Sequence, residues 1–147
     1  MTVYVRRLRE TDLPAVLKIA KWLHDNSRYS VFTYKEEKVR QLLSMSLQPE
    51  SPVFVAVALR QGSDEILGYF HGYVDYHYFS DMKYAGDWAV CILPEHRKYA
   101  PLILKQMVHA FEKWGRKNGA EEISIGASTE AYGTGYKKFL ERMGYRD

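Results

Sequence analysis

The sequence predicts a mixed α/β fold: a mostly antiparallel central sheet with helices on both faces. Three observations carry this. Apolar residues alternate between the spacing of strands and the spacing of helices, in the order strand, helix, helix, three strands, helix, strand, helix. The run Val53 to Leu59 is apolar at almost every position and rich in Val, which marks a strand buried on both faces. The strand–helix–strand unit from Lys83 to Ala127 requires a parallel pair with a right-handed crossover, whereas the two turns before it are hairpins.

Each element has a local cause. Val3 and Val5 alternate with polar residues up to Leu8 and give the first strand. Thr11-Asp12 offers an N-cap, and Pro14 is tolerated in a first turn. Leu13, Val16, Leu17, Ala20 and Leu23 then keep helical spacing to about His24. Thr33-Tyr-Lys-Glu36 has the spacing of a capping box, followed by Val39, Leu42, Leu43 and Leu47 on one helix face. Gln61-Gly-Ser-Asp64 is a hairpin turn. The aromatic run Ile66 to Phe79 is the next strand, Ser80-Asp-Met-Lys the next turn, and Lys83 to Leu93 the fourth strand. A helix begins near Pro101, with Ile103, Met107, Ala110, Phe111 and Trp114 as its buried stripe and Lys117-Asn-Gly119 as its C-cap. Glu121 to Ala127 forms a last strand, a polar turn follows, and Tyr136 to Met143 forms a short helix stopped by Gly144.

A chain of 147 residues suits one domain, able to bury roughly 70% of its unfolded surface. Hydrophobic content of 46%, charged content of 27% and a net charge of +3 fit an ordinary globular protein; the mild charge permits an anionic ligand without demanding nucleic acid. Cys91 is the only cysteine, which excludes an intrachain disulfide and a paired-thiol zinc site. No stretch reads as a signal peptide or membrane span, so the expected location is the cytoplasm, with no membrane partner.

The most informative stretch runs from Trp88 to Leu102. It reads as strand, short basic loop, helix start. A helix start presents unpaired N–H groups and partial positive charge, and with Arg97 and Lys98 just ahead it suits a phosphate or pyrophosphate.

Ile92-Leu-Pro94-Glu-His-Arg97-Lys-Tyr-Ala100-Pro-Leu102 resembles the pattern Val-x-Pro-x-x-Arg-x-x-Gly-x-Gly/Ala of the GNAT acetyltransferase superfamily. Val-Arg-Arg-Leu-Arg-Glu-Thr-Asp-Leu-Pro14, Ile66-Leu-Gly68 and Lys138-Phe-Leu-Glu-Arg-Met-Gly144-Tyr extend the likeness over almost the whole chain. The resemblance implies acetyl-CoA as co-substrate, its pyrophosphate at the loop and its thioester between the fourth and fifth strands. A substrate amine attacks the acetyl group directly, so the acceptor is a small-molecule or protein amine. The contacts to acetyl-CoA fall on Cys91, Ile92, Arg97, Lys98, Tyr99, Ala100 and Leu102.

The chain departs from the family pattern in several places. Ala100 replaces the first loop glycine, Leu102 the final small residue, and Pro101 lacks an N–H. The tyrosine that protonates the thiolate in many members is Leu140 here, with Tyr136 one turn earlier. The closing strands of typical members are absent after Gly144, which leaves a sheet edge for a homodimer partner.

Asp87 is the only carboxylate in the fourth strand and the candidate base. In simple alternation Trp88, Val90 and Ile92 share the cofactor face and Asp87 points away; a bulge, usual in the family, reverses this. Tyr136 is the candidate acid. His71, Tyr73, Asp75 and His77 share one strand face, and His71 and Tyr73, with Trp88 and with Tyr29 of the first helix–helix link, are the candidate substrate residues. Trp22 and Phe32 flank the same link. No metal site is expected. Two other function classes stay open: a catalytically weak protein of this fold that binds acyl-CoA or a protein partner, suggested by Leu102 and Leu140, and a nucleic-acid module built on the aromatic strand. That strand carries no Lys or Arg, which counts against nucleic acid.

Overall fold

The Val-rich run at 53–60 forms the strand on which two cores are built. The computed structural model describes residues 2–126 and 133–146. Its elements are β1 (Val3–Arg7), α1 (Leu13–Asp25), α2 (Glu36–Ser44), β2 (Val53–Arg60), β3 (Ile66–Tyr76), β4 (Lys83–Ile92), α3 (Ala100–Lys117), β5 (Ala120–Ser124) and α4 (Gly133–Arg142). The sheet order is β1-β2-β3-β4-β5. All neighbours are antiparallel except β4 and β5, which are parallel as the crossover requires.

β2 is buried on both faces because the two helical layers use alternate residues. Val53, Val55, Val57 and Leu59 pack with Val16, Leu17, Ala20 and Leu23 of α1 and Leu43 of α2. Phe54, Ala56 and Ala58 pack with Phe70 and with Ile103, Met107, Phe111 and Trp114 of α3, and Leu140 of α4 joins them. Phe70 and Phe111 have ring centroids 4.7 Å apart, and Phe54 and Trp114 5.3 Å. Burying each such ring is worth about 1.5–3 kcal/mol, so this cluster sets where α3 lies under the sheet. Gly72 makes the approach possible: a Cβ there would stand 2.5 Å from Cε1 of Phe111. Gly119, at φ +90°, ends α3 and turns the chain into β5.

Several local expectations are corrected. The Thr33–Glu36 capping box does not form; the α2 N-cap is Lys35, with no side-chain cap bond. Tyr34 instead packs against the His24 ring at 5.2 Å with Lys21 Nζ above it, between extended backbone at Phe32 and at Lys35. α2 ends at Ser44, so of its expected apolar face only Leu43 is fully buried. Asp12 does not cap α1 with its side chain. It accepts two hydrogen bonds from Arg6 (2.7 and 3.1 Å) and one from the Arg9 N–H (2.7 Å).

β3 stops at Tyr76 because the His77 N–H bonds the Met82 carbonyl at 2.8 Å and closes the hairpin there; Tyr78 and Phe79 project, more than 90% exposed. The loop Pro94–Tyr99 is a 3₁₀ helix. β5 leaves the ladder after Ser124, short of the expected strand; Ala127 and the start of the turn after it lie outside the described residues. α4 begins at Gly133 rather than Tyr136. Among the described residues no helix is long and apolar enough to cross a membrane, and no His, Cys, Asp and Glu side chains cluster to hold a metal.

Candidate active site

The site is organised by one irregularity in β4. His71 pairs with Ala89 and Gly72 with Asp87, so Trp88 is an extra residue without a partner on β3. This bulge reverses the simple alternation. Asp87 lies opposite Gly72, on the face covered by Phe111, and so shares the α3 side with Val90 and Ile92. Trp88 turns to the α1 side, where its ring meets His71 edge-on at 4.9 Å and stacks on Tyr73 at 4.8 Å.

β4 and β5 pair only from Lys83–Ala120 to Gly86–Ser124. At the next position the Asp87 Oδ1 accepts the Gly126 N–H at 2.8 Å, tying the two chains together where the ladder ends. Asp87 is half-buried. Poor solvation pushes its carboxyl up to about 6, against the stabilising bond from Gly126.

On the α3 side, a cavity of about 260 Å³ is lined by Arg97, Ala100, Pro101, Leu104, Tyr136 and Phe139. It lies at the N-terminus of an 18-residue helix. Pro101 sits in the first turn, where an N–H has no intrahelical partner, so the helix loses no bond to it. The 3₁₀ segment before α3 is anchored by buried His96, whose Nε2 lies 2.8 Å from Glu65 Oε1. Lys98 Nζ stands over the Tyr99 ring at 5.1 Å. Leu102 is 57% exposed and does not line the cavity. The Cys91 and Ile92 side chains are fully buried in opposite cores, which closes them to contact with a ligand. Tyr136 is buried; desolvation and the Asp87 charge raise its hydroxyl well above the ordinary phenol range, which keeps it protonated. Leu140 packs in the core below it.

On the α1 side, a pocket of about 230 Å³ has a floor of Tyr69, His71, Trp88 and Ala89 and walls from α1, α2 and the link between them. Buried His71 is pushed down to about 4 and is neutral at physiological pH. Its Nε2 lies 3.2 Å from the Leu42 carbonyl, so Nε2 carries the proton and Nδ1 holds a lone pair. Tyr29 lines the pocket as expected. Tyr73 backs Trp88 from behind, its hydroxyl raised to about 12 by burial and by its bond with Tyr84. Trp22 packs against the core and Phe32 is exposed, stacked on Tyr29 at 6.4 Å. Asp75 and His77 extend the row beyond the pocket, His77 facing Glu122 at 3.5 Å. Sequence reasoning missed His24 and Tyr34, which form a wall; their one signal was their place at the ends of the helix–helix link.

No family model and no curated protein matches the sequence. Solved structures do. The chain is 17% identical to the aminoglycoside acetyltransferase AAC(6')-Iy in complex with the bisubstrate analog CoA-S-monomethyl-acetylneamine, at a TM-score of 0.73 over 100% of this chain and 92% of that one. It is 15% identical to aminoglycoside antibiotic 6'-N-acetyltransferase AAC(6')-Ih from Acinetobacter baumannii (TM-score 0.72; 99% and 92%). It is 18% identical to a transcriptional regulator from Bacillus halodurans C-125 (TM-score 0.73; 99% and 93%). The chain therefore has the fold of the GNAT acetyltransferases, as the sequence resemblance implied.

Proposed function

We propose that the protein is an acetyl-CoA-dependent N-acetyltransferase that moves the acetyl group directly to the primary amine of a small molecule. The observation that carries this is the Trp88 bulge. It puts Asp87 on the side of the cavity at the start of α3 and Trp88 on the side of the aromatic pocket, which supports a donor site and an acceptor site served by one strand. The likeness to acetyltransferases, one of them in complex with a CoA bisubstrate analog, supports the same reading.

The residues present fit the donor. Arg97 and the first N–H groups of α3 would hold the pyrophosphate, with Pro101 offering no donor. Asp87, where β4 and β5 part, would then stand beside the thioester. In the reaction the amine nitrogen bonds to the acetyl carbon and the carbon–sulfur bond breaks. Above about pH 6 the Asp87 carboxylate takes the amine proton. The Tyr136 hydroxyl gives a proton to the departing thiolate and recovers one from Asp87, whose charge it already senses. The net change moves one proton from nitrogen to sulfur.

Calorimetric titration with acetyl-CoA tests this, with Arg97→Ala as comparison. Losing a charge-assisted bond should weaken binding roughly tenfold or more. Absence of both heat and thermal shift in folded wild-type protein would refute the proposal.

A further inference from the structure

Resting on that reading, we infer that the acceptor is a single primary amine on a compact aromatic body, an arylalkylamine, and not a polycation. The pocket of about 230 Å³ is smaller than the roughly 300–1,000 Å³ of sites for drug-sized ligands. It accommodates one ring with a short arm. Its surface is apolar and aromatic, with Tyr34, Tyr69 and Trp88 presenting rings.

Charge argues the same way. No lining side chain among the described residues is a carboxylate. Asp25, beside His24, is outside the lining and holds Lys21 Nζ at 2.7 Å and His24 Nδ1 at 2.9 Å. Asp75 is about 13 Å along the strand from His71. At the rim charges of both signs occur: Lys21 Nζ, 5.4 Å from the Tyr34 ring centroid, is paired with Asp25, and the Arg28 guanidinium stands 4.9 Å from the ring centroid of Tyr29. A molecule carrying several ammonium groups would place them against an apolar lining that, among the described residues, offers no carboxylate to pair with them. A single amine on an aromatic ring would stack on Trp88 and pass its short arm beside His71, whose neutral ring does not repel it, toward the neighbouring Asp87.

The test uses the full chain with 2-phenylethylamine, spermidine and neamine as probes. Calorimetry without acetyl-CoA reads the pocket alone; turnover with acetyl-CoA reads the complete site. 2-Phenylethylamine should bind wild type, and at least fivefold more weakly Trp88→Ala, a substitution at a side chain already 45% exposed. Its kcat/KM should exceed those of spermidine and neamine by tenfold or more. Equal or better use of either polycation overturns the inference, as does undiminished binding by folded Trp88→Ala. Acetyl-CoA binding without 2-phenylethylamine binding also overturns it and leaves the donor site standing. 2-Phenylethylamine binding without acetyl-CoA binding supports the pocket and refutes the transferase reading.

Discussion

Replacing Asp87 with asparagine should stabilise the protein at neutral pH while removing activity. The Asp87 carboxyl rises from 3.8 to about 6 on folding because it loses solvation. A shift of about two units corresponds to at most about 3 kcal/mol. Partial solvent access screens the group, and about 1 kcal/mol is the expected effect. A carboxyl with a higher pKa folded than unfolded holds more protons in the native state, so stability falls as pH rises from about 4 to about 6 and stays low above that. Asparagine is uncharged throughout and its Oδ1 still accepts the Gly126 N–H, so the junction of β4 and β5 keeps its geometry. Urea denaturation at pH 8 should show Asp87→Asn about 1 kcal/mol more stable than wild type, and the gap should close toward pH 4. Turnover should fall about 100-fold or more. A variant no more stable at pH 8, or a gap that does not change with pH, would refute the assignment of a desolvated charge.

Gly72→Ala puts a methyl 2.5 Å from Phe111 and 3.1 Å from the Gly86 carbonyl, next to the bulge; urea denaturation should show a loss of about 1–3 kcal/mol. Asp12→Asn should cost about 1–3 kcal/mol at pH 7, because its carboxylate binds Arg6 and the Arg9 N–H. Burial opposes the Asp12 charge, but these donors outweigh it and hold the pKa below the ordinary 3.8. The stabilisation is therefore complete above that value and lost as pH falls through the lower folded pKa, so the wild-type advantage should vanish in acid denaturation at low pH.

The order of elements was legible because it rests on periodicity. The alternate use of β2 by two cores and the α3 stripe are each written in a run of apolar residues. What escaped the sequence depends on partners distant along the chain. The bulge at Trp88 exists only relative to β3, so the strand alone left the facing of Asp87 open. Thr33–Glu36 has every residue of a capping box, yet packing of Tyr34 against His24 governs that backbone. Tyr78 and Phe79 suit a strand, but the hairpin bond at His77 takes them out of it. Of the aromatic pocket, Tyr29 and His71 were named from position and alternation, whereas simple alternation put Trp88 on the other face; His24, Tyr34 and Tyr69 required the helices to be docked.

The sequential strand order also fixes how the molecule assembles. β2, β3 and β4 are neighbours in sequence as well as in space, joined by two short hairpin turns, so their closure costs little chain entropy. β1 joins only by closing a loop of roughly fifty residues, and that loop contains α1 and α2, the helices that wall the aromatic pocket. The central meander should thus protect its amides first in refolding, and the helical wall of that pocket should be the later and more readily opened unit in native-state hydrogen exchange. A molecule entering the aromatic pocket would meet the part of the chain that opens at the lowest cost.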